Sequence, residues 1–304
     1  MSADVSAAGL ASRWPSCSIP PLFPERGYES TATVELRPRY EDIAQDGRVQ
    51  LTSLMPGLGA VWRALGSTKK LDGFRARGIL PILRRLVIVG ERGPFSPEAP
   101  IHCTGTWRLA REKDGERIFA DMWLDAFAPI GSILATPTAD AERVLVGRIY
   151  AEHVVTRPFA PPAERKVTRL DMQGLPSVPE DEHPYEEAED LVAGHVLERT
   201  GELTFGMMHT DSNQHVNSLV YPRVFEETLV RTLASRGDVP DPSSLLARAV
   251  ELRYRKPFFT GERASIAARI ERTSSGPHRV VAVGSFAPSG NAARPSSTAA
   301  MWLG

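Results

Sequence analysis

The sequence predicts an α+β fold in which one order of elements occurs twice. In each half an alternating strand leads to a polar turn, the turn to a helical pattern, and the helix to a series of strand-like runs. In the first half, Ser30 to Leu36 reads as a strand and Asp42 to Arg48 as the turn. Val49 to Leu65 is helix-like, interrupted by Pro56, Gly57 and Gly59. Strand runs follow at Ile79 to Val89, Ile101 to Arg111, Ile118 to Phe127 and Arg143 to Thr156, with Asp114-Gly115 as a hairpin signal. In the second half the strand is Glu198 to Met208, the turn Asp211 to Asn217, and the helix Ser218 to Ser235. Leu219, Phe225, Leu229 and Leu233 give that helix an apolar face. Strands follow at Ala249 to Pro257, Ala264 to Arg272, Arg279 to Phe286 and Thr298 to Leu303, with a turn at Ser274 to Pro277.

Laying Glu41-Asp-Ile-Ala-Gln-Asp-Gly-Arg48 on Thr210-Asp-Ser-Asn-Gln-His-Val-Asn217 pairs Asp42 with Asp211 and Gln45 with Gln214, an offset of 169 residues (211 − 42). In that alignment Ala44 replaces Asn213 and Asp46 replaces His215. The shared order of elements carries most of the weight for an internal duplication. The expected organisation is a loosely ordered arm at 1–27, a first repeat at 28–160, an acidic, Pro-rich linker at 161–195 and a second repeat at 196–304.

The composition narrows the function. A 304-residue chain with 42% hydrophobic and 24% charged residues is that of a globular protein of one or two domains. A formal net charge of −1 gives no electrostatic case for nucleic acid. Two cysteines, Cys17 and Cys103, argue against a disulfide scaffold. The first 27 residues lack a signal-peptide pattern and no apolar run reaches membrane-spanning length, so a cytoplasmic protein is expected. The histidines at 102, 153, 183, 195 and 278 show no metal-ligand spacing, and no phosphate loop, dinucleotide fingerprint or nucleophile elbow is present. Cys103 reads as a buried structural thiol. No metal or cofactor is expected.

The chemistry concentrates at Asp211-Ser-Asn-Gln-His-Val-Asn217, between a strand and a helix. A carboxylate, an amide and an imidazole alternate there, at Asp211, Asn213 and His215, with a second amide at Asn217. Hydrolysis or transfer of an acyl group needs a base or nucleophile, an oxyanion stabiliser and a proton for the leaving group. These side chains, with N–H groups from the helix start, can supply all three. Singly, Asp211 reads as a helix cap and Asn213 and Asn217 as turn formers. Together with His215, Tyr221 and Glu227 they read as a site. His209, two residues before Asp211, could line the pocket but reads first as a partly exposed strand-end histidine. Tyr221 reads as a packing residue that borders the substrate. Arg253 and Arg255 share a strand face and, with Lys256 and Arg231, could meet a phosphate or an acidic partner, or form a solvated charged face.

The spacing Asp211-x-Asn213-x-His215-Val216-Asn217, followed by Tyr221 and Glu227, resembles the acyl-acyl carrier protein thioesterases, within the wider hot-dog thioesterases. Asn213-Gln-His-Val-Asn217 closely matches their active-site block. The resemblance implies two tandem hot-dog repeats paired as an intrachain pseudo-dimer. Catalysis would fall in the second repeat (Asp211, Asn213, His215, Glu227), and the first would help accommodate the acyl chain. Asn217, Tyr221, Arg253 and Arg255 would contact a substrate carried on phosphopantetheine, either acyl carrier protein or coenzyme A, in fatty acid or polyketide metabolism. Met55, Leu58, Trp62, Phe74, Met122 and Leu124 are candidates for the acyl tunnel or for ordinary core. A homodimer of such chains is compatible with the pattern.

The chain also departs from that family. Plant members carry a Tyr-Arg-Arg-Glu-Cys segment on a later strand where this chain has Tyr254-Arg-Lys-Pro-Phe258, so Pro257 and Phe258 supply neither carboxylate nor thiol. Glu226, Glu227 or Glu251 would have to compensate, or Asp211 and His215 would act alone. Two alternatives follow. One is a hot-dog dehydratase or hydratase acting on a 3-hydroxyacyl thioester, disfavoured because His215 lies four residues after Asp211, not five. The other is a non-catalytic acyl-binding protein with a decayed site.

Overall fold

A computed structural model describes residues 31–66, 73–111, 117–131, 138, 140–170, 191–239, 241, 244–273, 279–291 and 293–304. The N-terminal arm, most of the acidic linker and the turns at Asp114-Gly115 and Ser274 to Pro277 lie outside these residues. The described chain divides into two compact units, residues 31–170 and 191–304.

In the N-terminal unit, β1 (Thr31–Leu36) leads to α1 (Met55–Ala64) and then to β2 (Leu80–Gly90), β3 (Ile101–Arg111), β4 (Ile118–Pro129) and β5 (Arg143–Thr156). The strands lie in the order β1-β3-β4-β5-β2 with antiparallel neighbours. The expected interruption of the helix at Pro56 does not occur. Pro56 falls in the first turn, where its missing N–H costs nothing, and a short 3-10 turn, Leu51–Leu54, precedes it. Gly57 and Gly105 are close-approach positions. A Cβ on Gly57 would lie 2.7 Å from the Cys103 sulfur, and one on Gly105 would meet Val61 at 2.9 Å. Cys103 is fully buried under the helix and burial pushes its thiol up to about 12, which makes it core. Gly57→Ala is therefore expected to overpack this contact and lower stability by ~1–3 kcal/mol in chemical denaturation. Leu58, Phe74, Met122 and Leu124 are buried in the same core, and Trp62 packs edge-on against Trp107 at 5.1 Å.

Residues 161–170, placed in the linker by composition, continue this unit. Thr156 bridges to Lys166, and Val167 is buried.

His153 on β5 adds a pH dependence. Burial pushes its imidazole down to about 4, with the Ala120 backbone and Asp121 acting in the other direction. Between pH 4 and the ordinary value of 6.5 the unfolded chain then binds more protons than the folded one, so stability falls as pH falls through that window. Asp125, pushed up to about 6 chiefly by burial, opposes this, because its contribution is lost as pH rises through 6. Removing the imidazole in His153→Asn should flatten the acid-side loss, read as the pH slope of the denaturation free energy.

The C-terminal unit repeats the order of elements: β6 (Glu198–Thr204), α2 (Val220–Arg236), β7 (Ala247–Tyr254), β8 (Arg263–Arg272), β9 (Val280–Pro288) and β10 (Ser297–Leu303). Its strand order, β6-β8-β9-β10-β7, is that of the first unit. The helix buries Tyr221, Phe225, Leu229 and Leu233, an i, i+4 stripe, and ends at Gly237, whose φ of 67° suits a left-handed cap. Phe225 occupies the space left by Gly284 on β9, where a Cβ would approach its ring at 2.6 Å.

Two strands end earlier than in the sequence reading. The strand expected to reach Met208 ends at Thr204 and is followed by a 3-10 turn, Met207–His209, with Met207 and Met208 exposed. The strand expected to reach Pro257 ends at Tyr254. Among the described residues no helix is long and apolar enough to cross a membrane.

Candidate active site

The segment from His209 to Asn217 folds back on itself as a short antiparallel ladder. Thr210 bridges Val216, the Asp211 N–H donates to the His215 carbonyl at 3.2 Å, and the Asn217 N–H donates to the His209 carbonyl at 2.8 Å. Gln214 closes the turn, its N–H on the Asp211 carbonyl at 2.9 Å and its φ at 66°. The ladder is pinned from beyond β7 by the Val216 N–H on the Phe258 carbonyl at 2.7 Å and by a bridge from His215 to Phe259. Residues opposite each other on an antiparallel ladder point to the same side. His209 and Asn217, and Asp211 and His215, therefore share one face, with Thr210 and Val216 on the other.

On that face the Asp211 carboxylate is held by two donors. Its Oδ1 accepts the Asn213 N–H at 2.8 Å, and its Oδ2 accepts the Asn217 amide at 3.3 Å. His215 Nδ1 lies 4.0 Å from Asp211 Oδ1 and 3.4 Å from the Val216 carbonyl. Both side chains are partly open to solvent, 26% for Asp211 and 38% for His215, so substrate can reach them. The Asn213 side chain is exposed at the tip of the turn. Asn217 also accepts the Leu219 N–H through Oδ1 at 2.8 Å and the Val220 N–H through its carbonyl at 3.0 Å. It thus ties the carboxylate to the start of α2. Its contacts are those of a residue that positions Asp211, not of one left free for substrate. Asp211 is no helix cap, because α2 begins nine residues later, at Val220.

The same ladder occurs in the N-terminal unit, 167 residues earlier (210 − 43), which corrects the 169-residue alignment. Ile43 bridges Val49, the Ala44 N–H reaches the Arg48 carbonyl at 2.7 Å, and the Gln50 N–H reaches the Asp42 carbonyl at 2.8 Å. Gly47, at φ 80°, stands where Gln214 does. In the true register Ala44 corresponds to Asp211, Asp46 to Asn213, Arg48 to His215 and Asp42 to His209. Two chance identities, Asp42 with Asp211 and Gln45 with Gln214, had pulled the sequence alignment out of step.

Other residues expected at the site stand apart from this group. Glu227 is exposed two turns along α2 and pairs with Arg231 at 2.6 Å, an i, i+4 surface pair. Arg253 pairs with the buried Glu251 at 3.0 Å. Strand alternation puts it on the opposite face from Tyr254, whose ring meets Tyr221 edge-on at 5.5 Å. Arg255 lies past the end of β7 and is exposed, so the two arginines do not form one strand face. Glu226 accepts the Ala247 N–H at 2.8 Å, and burial raises its carboxyl. Glu226 and Glu251 are thus each engaged by partners on β7. Tyr221 is fully buried, its hydroxyl accepts the Phe258 N–H at 3.4 Å, and burial pushes it up to about 12. It packs, and does not present its hydroxyl to a ligand.

No protein-family model matches the sequence, and no match is found among curated proteins. Solved structures do match. An acyl-ACP thioesterase from Bacteroides thetaiotaomicron aligns at TM-score 0.58 and 13% identity over 90% of this chain and 98% of its own. The 12:0-ACP thioesterase from Umbellularia californica aligns at TM-score 0.56 and 14% identity over 90% and 94%. The chain has the hot-dog fold of the acyl-ACP thioesterases. At these identities the likeness is one of fold.

Within this hot-dog fold, two residues that sequence reasoning missed, and His209, shape the site. Phe258 is buried, with its ring 5.1 Å from that of Phe205, and its carbonyl fixes Val216 beside His215. Tyr254 donates its hydroxyl to the Ser218 carbonyl at 2.9 Å, anchoring the approach to α2. His209 shares the polar face of the ladder. Each acts through a backbone contact or a ladder register, for which a sequence has no signal.

Proposed function

We propose that the C-terminal unit carries a thioester hydrolase site, acting on an acyl group borne by the phosphopantetheine of acyl carrier protein or coenzyme A. The observation that carries this reading is the contrast between the two ladders. Both keep the bridge and the backbone bonds, but Asp211, His215 and Asn217 are replaced by Ala44, Arg48 and Gln50. The fold therefore does not require an aspartate, a histidine and an asparagine on that face, and chemistry is the remaining reason for them. The matching strand orders and the 90% coverage by an acyl-ACP thioesterase structure support two tandem hot-dog repeats, the first with an inactive turn.

In the proposed reaction a water held at the Nε2 of His215 attacks the thioester carbonyl carbon. His215 takes the proton from that water as the new C–O bond forms. Asp211, fixed by its two donors, orients the imidazole and stabilises its charge, the 4.0 Å separation closing to hydrogen-bond length with substrate bound. The Asn213 amide donates to the carbonyl oxygen. The C–S bond then breaks, and His215 passes its proton to the leaving thiolate, giving a carboxylic acid and a free thiol. Phe258 in place of a thiol leaves this pair to act without a further nucleophile.

The test is free-thiol release by the full chain from a panel of acyl-CoA and acyl-carrier thioesters of graded chain length. Release above the spontaneous rate is expected. Binding of acyl thioesters without release would make the chain an acyl-binding protein instead.

A further inference from the structure

This inference rests on the thioesterase reading above and concerns how its site holds the carbonyl oxygen. A helix start ordinarily offers free N–H groups to a developing oxyanion. Here two of those groups are engaged. The Leu219 N–H goes to Asn217 Oδ1, the Val220 N–H to the Asn217 carbonyl, and Pro222 has none. On the ladder itself, the N–H groups of Asn213, Val216 and Asn217 are taken by Asp211, Phe258 and His209. A side-chain donor on the same face would therefore add to the few N–H groups left open there.

His209 meets the requirement. It lies opposite Asn217 and two residues from Asp211, on the face that carries Asp211 and His215. Its Nδ1 accepts the Gly206 N–H at 2.9 Å. A backbone N–H can only donate, so in the neutral ring the proton must sit on Nε2. The ring is steadied edge-on against buried Phe205, with centroids 5.7 Å apart at 85°. The imidazole is half-buried, and no hydrogen bond to its Nε2 is made among the described residues. A fixed tautomer, a fixed ring and an available donor two residues from the carboxylate along the ladder are what an oxyanion contact needs.

We propose that His209 is a further residue of the thioester site, donating a hydrogen bond from Nε2–H to the thioester carbonyl oxygen as that oxygen gains negative charge. The proton stays on the imidazole. His209 thereby complements Asn213 and leaves proton transfer to His215.

The N-terminal unit supplies the control. At the matching position Asp42 makes the same cap, accepting the Arg39 N–H at 2.8 Å through its carboxylate. His209→Asp therefore keeps the acceptor that closes the turn and removes the donor. The full chain with His209→Asp is expected to melt like wild type and to keep its KM for acyl thioesters while kcat for thiol release falls about 100-fold. His209→Gln, which retains an amide donor, should lose less. A His209→Asp enzyme that turns over at the wild-type rate overturns the proposal, as does a rise in KM with a loss of stability alongside the fall in kcat. If His209→Asp fails to fold, the outcome rests on His209→Gln, where loss of all turnover in a folded chain would count against the donor role. Asp211→Asn runs alongside. A wild type that releases no thiol overturns the hydrolase reading and this proposal with it. An active wild type and inactive Asp211→Asn, with His209→Asp unimpaired, removes His209 alone.

Discussion

Asp211→Asn is expected to reduce free-thiol release from acyl thioesters by at least ~100-fold, the scale of losing a group in acid–base catalysis. The substitution keeps the size of the side chain, and its Oδ1 can still accept the Asn213 N–H that now reaches the carboxylate at 2.8 Å. The turn should therefore persist. What disappears is the negative charge facing His215 across 4.0 Å, and with it the orientation of the imidazole and the stabilisation of its protonated form. His215→Ala should cause a loss of similar size by removing the proton carrier itself. The two losses should not add, because both residues serve one proton transfer. Steady-state kinetics on the single and double variants checks this. A double variant slower than either single by the product of their effects would show that they act independently.

Phe225→Ala is expected to cost ~3–5 kcal/mol of stability, the range for truncating a buried aromatic ring. Phe225 is fully buried in the middle of the α2 stripe and fills the hollow over Gly284, with the Phe286 ring 6.1 Å away. Glycine at 284 and phenylalanine at 225 fit as a pair, and nothing else can close the gap without moving the helix. Because Asn217 ties Asp211 to the start of α2, loosening the helix should also disturb the site. The denaturation midpoint should fall sharply, and thiol release should fail at lower denaturant than global unfolding. An unchanged midpoint would mean that the helix is held to its sheet by other contacts.

Much of the fold was legible in the sequence because its signals were local. The strand that the structure describes from Thr31 to Leu36, the helical stripe of Phe225, Leu229 and Leu233, and the polar turn between strand and helix each fell where the sequence placed them. Leu219 stands just before the helix, and Tyr221 takes its place in the stripe. The central strands were recognisable as apolar runs but not by face. β4 is buried on both sides from Ile118 to Ala126, including Asp121, so no alternation marks which side meets the helix. The polar turn itself could be read as a chemical cluster. Its true partner in the first half could not, since the match lies in backbone bonds and in the positive φ shared by Gly47 and Gln214. Glu227 and Arg253 were misplaced for a related reason. Spacing alone does not reveal an i, i+4 partner such as Arg231, or which face of a strand looks toward the helix. Phe258 read as a departure because its side chain lacks acid or thiol chemistry. Its contribution is a carbonyl that holds Val216 and a ring packed against Phe205.

Product stoichiometry tests the central claim most directly. The wild-type chain, given a 3-hydroxyacyl thioester and its unsubstituted analogue in oxygen-18 water, should release thiol and carboxylic acid in equal amounts from both, with label in the acid. Loss of water from the 3-hydroxyacyl substrate with the thioester intact, or capture of either substrate without product, would contradict it.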